Sequence, residues 1–78
     1  MVRKTLNKYR WHPELDFSKV CVYYVDRLDP KGYRILKGSD IVDLGDKFIF
    51  TREGMIPYHR VIKIEYNGEI IWRRLHSD

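Results

Sequence analysis

The stretch that decides the fold is Ile56-Pro57-Tyr58-His59-Arg60-Val61-Ile62-Lys63-Ile64-Glu65-Tyr66-Asn67-Gly68-Glu69-Ile70-Ile71-Trp72-Arg73-Arg74. It consists of two runs rich in β-branched and aromatic residues, separated by the dipeptide Asn67-Gly68. Asn-Gly accepts positive φ at both central positions of a type I′ turn, so the pattern predicts a β-hairpin. A two-residue turn fixes the register of the strands, and the register decides which side chains share a face.

Counting back from the turn predicts which residues face each other: Tyr66 and Glu69, Ile64 and Ile71, Lys63 and Trp72, Val61 and Arg74. One face then carries the set that we assign to the core: Ile62, Ile64, Ile71 and, at the turn end, Tyr66. The other face carries a mixed set: His59, Val61, Lys63, Ile70, Trp72 and Arg74. Such a surface suits nucleic-acid binding, although a solvated face with Lys63 lying across Trp72 explains the same pattern.

The composition bounds the class of protein. The chain has 78 residues, so we expect a single domain over 1–78 with a modest core. Its one cysteine, Cys21, stands in an apolar run and excludes an internal disulfide framework. The sequence has neither an apolar run of about 20 residues, as a membrane span needs, nor a secretory h-region. These features predict a cytoplasmic protein.

The formal charge of +4 is unevenly placed along the chain. The first twelve residues contain no acid and hold four basic residues, Arg3, Lys4, Lys8 and Arg10, which equal the whole excess. They alternate with apolar residues at helical spacing, so we expect a short amphipathic helix that ends near Arg10 or Trp11 because Pro13 follows. Its basic side is either a patch that contacts phosphates or an ordinary solvated face.

The rest of the chain predicts strands. Residues 20–26 are apolar in both alternation sets, as in a central strand covered on both faces. Residues 33–36 and 47–51 predict two more strands, the latter with Phe48 and Phe50 inward, and residues 41–46 fit a helical turn or a strand. The predicted fold class is therefore α+β: a short N-terminal helix followed by about five mostly antiparallel strands, as a half-open barrel or an open sheet.

No specific catalytic or metal-binding motif is present, and we expect no metal and no cofactor. His59, between Tyr58 and Arg60, suits anion binding, a structural hydrogen bond or acid–base chemistry on phosphate. Arg27 either forms a local ion pair with Asp26 or Asp29 or offers its guanidinium fork to two phosphate oxygens.

Several segments together resemble a known family: Leu6-Asn7-Lys8-Tyr9-Arg10-Trp11, Asp26-Arg27 after a Tyr-rich strand, Ile56-Pro57-Tyr58-His59-Arg60-Val61 and Gly68-Glu69-Ile70-Ile71-Trp72-Arg73-Arg74. The chain is similar to a small archaeal family of formerly unknown function and to the RNA cyclic-group end recognition domain. The resemblance implies binding of RNA ends that carry a 2′,3′-cyclic phosphate, in RNA processing or repair. It places motif positions at Asp26, Arg27, Pro57, His59, Arg60, Trp72 and Arg74.

The first hypothesis is therefore a non-catalytic module for single-stranded RNA ends. Four cationic side chains, Arg27, His59, Arg60 and Arg74, would hold the terminal phosphate. Trp72, with Tyr58 in support, would stack on a base, while the basic helix residues and Lys63 would add attraction that weakens with salt. One alternative is a phosphodiesterase or nuclease that uses His59, and another is a protein-interaction module of an RNA-processing complex.

Overall fold

The computed structural model describes residues 2–74, which form one helix and seven strands. In chain order these are α1 (Val2–Trp11), β1 (Val20–Val25), β2 (Tyr33–Lys37), β3 (Ile41–Leu44), β4 (Phe48–Thr51), β5 (Met55–Pro57), β6 (Val61–Tyr66) and β7 (Glu69–Arg73). Short 3-10 turns precede β1, β3 and β6. The α+β class is therefore correct, but the expected count of about five strands was too low.

The strands form two sheets rather than one barrel across the described residues. One sheet has the order β2-β1-β6-β7 and the other β3-β4-β5, and every pair of neighbours is antiparallel. The chain passes from the first sheet to the second through a 3-10 turn between β2 and β3 that begins at Gly38. An added Cβ at Gly38 would collide with the backbone carbonyl of Phe17, so the close approach at this turn requires glycine.

The core lies between the two sheets and α1. Val2 and Leu6 of α1 are buried, as are Val20 and Val22 of β1 and Ile64 of β6. The other buried apolar residues are Leu36, Ile41, Leu44, Ile49, Ile56 and Val61. The central place of β1 is confirmed, but its outward Cys21 and Tyr23 are only half-buried, so the expected cover on both faces was wrong.

Two irregularities shift the register that the sequence predicted for the last two strands. Asn67 and Gly68 both have positive φ between β6 and β7, and Tyr66 faces Glu69. Beyond that pair β7 contains one extra residue, Ile71, so that Ile64 faces Trp72 and Lys63 faces Arg73. On the β1 side, β6 contains an extra residue of its own at Ile62.

The extra residues move side chains between the two faces of the sheet, because alternation restarts after each one. Val61, expected on the outer face, is fully buried, and Ile62, expected in the core, is half-buried. Trp72 faces the fully buried Ile64 and packs against the core, so its expected place on the outer face was wrong.

The smaller sheet also differs from the expectation. In β4 the fully buried residue is Ile49, while Phe48 and Phe50 are half-buried. The side chain of β4 that points into the core is therefore Ile49. The prediction that Phe48 and Phe50 point inward was wrong. Residues 41–46, whose sequence fits a helical turn or a strand, contain the strand β3. In the described part of the chain no helix has the length and apolar character to cross a bilayer.

Candidate anion-binding site

Four of the predicted site residues meet at the end of β1. A depression of about 580 Å³, here called the Arg27 depression, is lined by Val25, Asp26, Arg27, Leu28, His59 and Arg60. Two elements build it: the turn that follows β1 and the 3-10 turn that precedes β6. The two motif segments that lie more than thirty residues apart in the sequence thus form one surface.

The 3-10 turn Tyr58–Arg60, here called the basic turn, explains how neighbouring residues share that surface. In a continuous strand His59 and Arg60 would point to opposite faces. The basic turn interrupts the strand pattern between β5 and β6, and both residues line the Arg27 depression. Strand alternation would separate Arg60 from His59, but the basic turn places both on one surface.

Tyr58 ties the basic turn to the smaller sheet. Its hydroxyl donates to the Gly45 carbonyl at 2.7 Å, and its backbone N–H donates to the Lys47 carbonyl at 3.1 Å. Burial raises the pKa of the Tyr58 hydroxyl, and nearby Arg3 opposes part of this rise. Since Tyr58 packs against the core, the expectation that it supports base stacking does not fit its position.

Arg74 braces the basic turn from its backbone side. Its Nε donates to the Val61 carbonyl at 3.0 Å, and its Nη2 donates to the Tyr58 carbonyl at 3.3 Å. The backbone N–H of Arg74 donates to the Ile62 carbonyl at 2.9 Å. The guanidinium also lies 5.4 Å from the centre of the Trp72 ring. Arg74 and Trp72 are thus adjacent to the basic turn, but neither lines the Arg27 depression.

Asp26 organises the opposite wall of the Arg27 depression. Its Oδ1 accepts from the backbone N–H of Leu28 at 3.0 Å, and its Oδ2 lies 3.8 Å from the Arg34 guanidinium. Asp29, in the same turn, accepts from the backbone N–H of Lys31 and forms an ion pair with its ammonium at 3.2 Å. These two carboxylates therefore pair with Arg34 and Lys31 within residues 2–74, and the expected ion pair with Arg27 is not formed.

The remaining supporting residues lie elsewhere on the molecule. Lys63 contacts the Tyr23 ring at 4.1 Å and Glu65 at 3.4 Å, so its expected contact with Trp72 was wrong.

The basic helix is partly neutralised by acids from the segment around β3. Arg3 pairs with Asp46 at 3.3 Å, and Arg10 pairs with Asp43 at 3.2 Å. Lys4 and Lys8 remain exposed. The helix residues line neither the Arg27 depression nor the cleft beside it. A charge count of the first twelve residues misses both acids.

Sequence reasoning also missed Arg34, which lines that neighbouring cleft and lies 3.8 Å from Asp26 of the Arg27 depression. Arg34 faces Tyr24 across the β1–β2 pair, and Tyr24 stands two residues before Asp26. The short, Gly-containing turn between these strands was the available signal, because a tight turn brings the start of β2 beside the end of β1. Among residues 2–74 no group of three His, Cys, Asp or Glu side chains is placed to hold a metal ion.

Comparison with known proteins gives one family. The family model of the MJ1316 RNA cyclic group end recognition domain matches residues 1–74. The chain belongs to this family. A UPF0248 protein from Archaeoglobus fulgidus is 50% identical over 70 residues, which cover 88% of this chain and 99% of that protein.

More distant members of the family also align along most of their length. A UPF0248 protein from Methanopyrus kandleri is 37% identical and aligns over 80% of this chain and 84% of its own. Another from Methanococcus vannielii is 26% identical over 100% of this chain and 96% of its own. No solved structure matches the chain.

Proposed function

We propose that this chain of the MJ1316 family is a non-catalytic module that binds RNA ends carrying a 2′,3′-cyclic phosphate. The observation that carries the proposal is the convergence of Arg27, His59 and Arg60 on one depression. Guanidinium groups match phosphate oxygens in geometry, and the imidazole adds a donor in the same place. The family description points to the same ligand.

The charge of the Arg27 depression suits an anionic RNA end. It holds two arginines, one carboxylate and His59, which gives a formal charge of +1 when the imidazole is neutral. A cyclic phosphate is a diester with one negative charge. A linear terminal phosphate is a monoester with a second pKa of about 6, so it approaches two negative charges at neutral pH. The positive excess attracts both forms. Charge therefore supports binding of a terminal phosphate, while the choice of the cyclic end rests on the family description.

The binding experiment compares one short single-stranded RNA with three 3′ ends: 2′,3′-cyclic phosphate, linear phosphate and hydroxyl. We expect the wild-type protein to prefer the cyclic end, and the three variants Arg27→Ala, His59→Ala and Arg60→Ala to lose that preference. Each arginine variant should weaken cyclic-end binding about tenfold, as expected for a lost hydrogen bond to a charged group.

Arg73→Ala is the matched control, because it removes an equal charge from an exposed residue outside the depression. Equal affinity for all three ends, or an equal loss in Arg73→Ala, would overturn the proposal. Analysis of the recovered RNA tests the enzymatic alternative, since His59-dependent conversion of the cyclic end would replace a binding role by catalysis. A role in RNA processing or repair, association with RNA-processing proteins and a cytoplasmic location stay predictions.

A further inference from the structure

A second concavity adjoins the Arg27 depression and has different chemistry. This inter-sheet cleft has a volume of about 420 Å³ and lies between the β1–β2 pair and the β4–β5 hairpin. It shares Val25, Asp26 and Arg60 with the Arg27 depression, so the two form one continuous groove around the end of β1. Its volume lies within the range of sites for small organic ligands.

The formal charge of the inter-sheet cleft argues against a second phosphate. Three arginines and three acids line it: Arg34, Arg52, Arg60, Asp26, Asp40 and Glu53. They sum to zero, whereas the Arg27 depression has a positive excess. A neutral ligand with several donors and acceptors therefore fits the cleft better than an anion does, because both signs of charge can be hydrogen-bonded.

The walls of the cleft suit a flat, partly apolar group. Tyr24, Met55 and Pro57 contribute apolar surface, and the Met55 side chain is 59% exposed. Nucleobases combine apolar faces with polar edges, and proteins hold unstacked bases by covering the face and hydrogen-bonding the edge.

The β4–β5 turn that forms one side of the cleft is held by its own hydrogen bonds. The Thr51 hydroxyl accepts from the backbone N–H groups of Glu53 at 3.2 Å and Gly54 at 3.1 Å, and the Thr51 N–H donates to the Gly54 carbonyl at 2.7 Å. A wall that is ordered before binding loses little conformational entropy when a ligand arrives.

We infer that the inter-sheet cleft binds the nucleoside of the terminal nucleotide, with the base against Met55 and its edge toward Arg34 and Asp40. This inference rests on the proposed function, because it places the cyclic phosphate of the same nucleotide in the Arg27 depression. The ribose then crosses the shared boundary at Asp26 and Arg60. The protein thereby binds the last nucleotide as a unit and makes its end recognition depend on the base.

The test changes the terminal base and the cleft separately. The probes are a short RNA with a 2′,3′-cyclic phosphate, the same RNA with hydrogen in place of the terminal base, and the same RNA with a hydroxyl end. For the wild-type protein we expect removal of the base to weaken cyclic-end binding about fivefold or more, which is the range of one base stacked on a side chain.

Met55→Ala examines the cleft, and Ile70→Ala is its matched control. Met55 is 59% exposed and Ile70 is 51% exposed, but Ile70 lies outside the cleft. Met55→Ala should weaken binding of the base-bearing cyclic end about threefold, the value of partial burial of an aliphatic side chain. It should leave the base-free cyclic end unchanged, and Ile70→Ala should change neither.

The outcomes separate this inference from the proposed function. If the protein prefers the cyclic end but ignores removal of the base, the nucleoside assignment is overturned and the end-binding function stands. An equal effect of Met55→Ala on the base-bearing and base-free probes would also overturn the assignment. If the wild-type protein shows no preference for the cyclic end over the hydroxyl end, both proposals fall.

Discussion

Tyr23 and Glu65 form a titratable pair on the outward face of the four-stranded sheet. The Tyr23 hydroxyl donates to Glu65 Oε1 at 3.0 Å, and Lys63 lies over the Tyr23 ring. The hydrogen bond to the carboxylate is the main reason that the pKa of Tyr23 is raised above its ordinary value of 10.0, and desolvation adds to it. The folded pKa therefore exceeds the unfolded one. The stabilisation is complete below about pH 10 and is lost as the pH rises through the folded pKa.

This residue-scale expectation can be measured by the absorbance of tyrosinate as the pH is raised. The difference between wild type and Tyr23→Phe should titrate with a midpoint above 10. In a Glu65→Gln background the same difference should titrate at a lower pH, because the carboxylate that holds the proton is gone. Glu69→Gln, which removes an equal charge from an exposed residue of β7, should leave the midpoint in place. An unchanged midpoint in Glu65→Gln would contradict the assignment.

Neighbouring apolar residues explain why the hairpin could be predicted in outline but not in register. Val61-Ile62 and Ile70-Ile71 are pairs of aliphatic residues, so shifting either strand by one position still puts an aliphatic side chain inward. The pattern therefore carries no signal for the extra residues at Ile62 and Ile71. Ile64 remains inward and fully buried, while the residues beyond the irregularities change face.

The parts of the candidate site that could be predicted are the pairs of residues adjacent in the sequence. His59 and Arg60 were identified from their neighbours, and Asp26 and Arg27 from the end of an apolar strand. That the two pairs share one depression depends on the pairing of β1 with β6, which is a contact between distant parts of the chain. Trp72 was misplaced because the irregularity at Ile71 precedes it.

At the scale of elements, the basic turn depends on Arg74, which donates to the Tyr58 carbonyl within the turn and to the Val61 carbonyl directly after it. We expect Arg74→Ala to lower the free energy of unfolding by about 1 kcal/mol, the net value of a typical hydrogen bond. It should also weaken cyclic-end RNA binding, because His59 and Arg60 lose their support. Lysine cannot reproduce a planar fork that reaches two carbonyls, so Arg74→Lys should recover only part of either loss.

Three measurements on the Arg74 variants distinguish support of the basic turn from direct contact with RNA. They are thermal unfolding, RNA binding and amide hydrogen exchange of the basic turn. Support predicts faster exchange at residues 58–60 together with weaker binding. A direct phosphate contact predicts weaker binding with unchanged exchange and stability, which would restore the role that the sequence suggested for Arg74. Arg73→Ala, the neighbouring exposed arginine, is the control for loss of charge.

At the scale of the whole molecule, the tertiary fold redistributes the charge that the sequence concentrates at its start. Asp43 and Asp46 pair with Arg10 and Arg3, so the basic excess of the helix is smaller than the sequence indicates. The Arg27 depression keeps its positive excess at a different place. Under the proposed function, general attraction to RNA and selection of its end belong to separate surfaces, and a change of charge on the helix should alter only the first.

Asp46→Asn tests this separation because it frees Arg3 and raises the formal charge from +4 to +5. We expect about twofold tighter binding of hydroxyl-ended RNA at low salt and a steeper loss of affinity as salt is added. The slope of log affinity against log salt concentration should steepen by less than about 0.7, which is the value of one added phosphate contact on a single strand. The ratio of affinities for cyclic and hydroxyl ends should not change. Glu69→Gln adds an equal charge without releasing Arg3 and should have a smaller effect on the slope. A changed ratio in Asp46→Asn would show that the helix takes part in selecting the end.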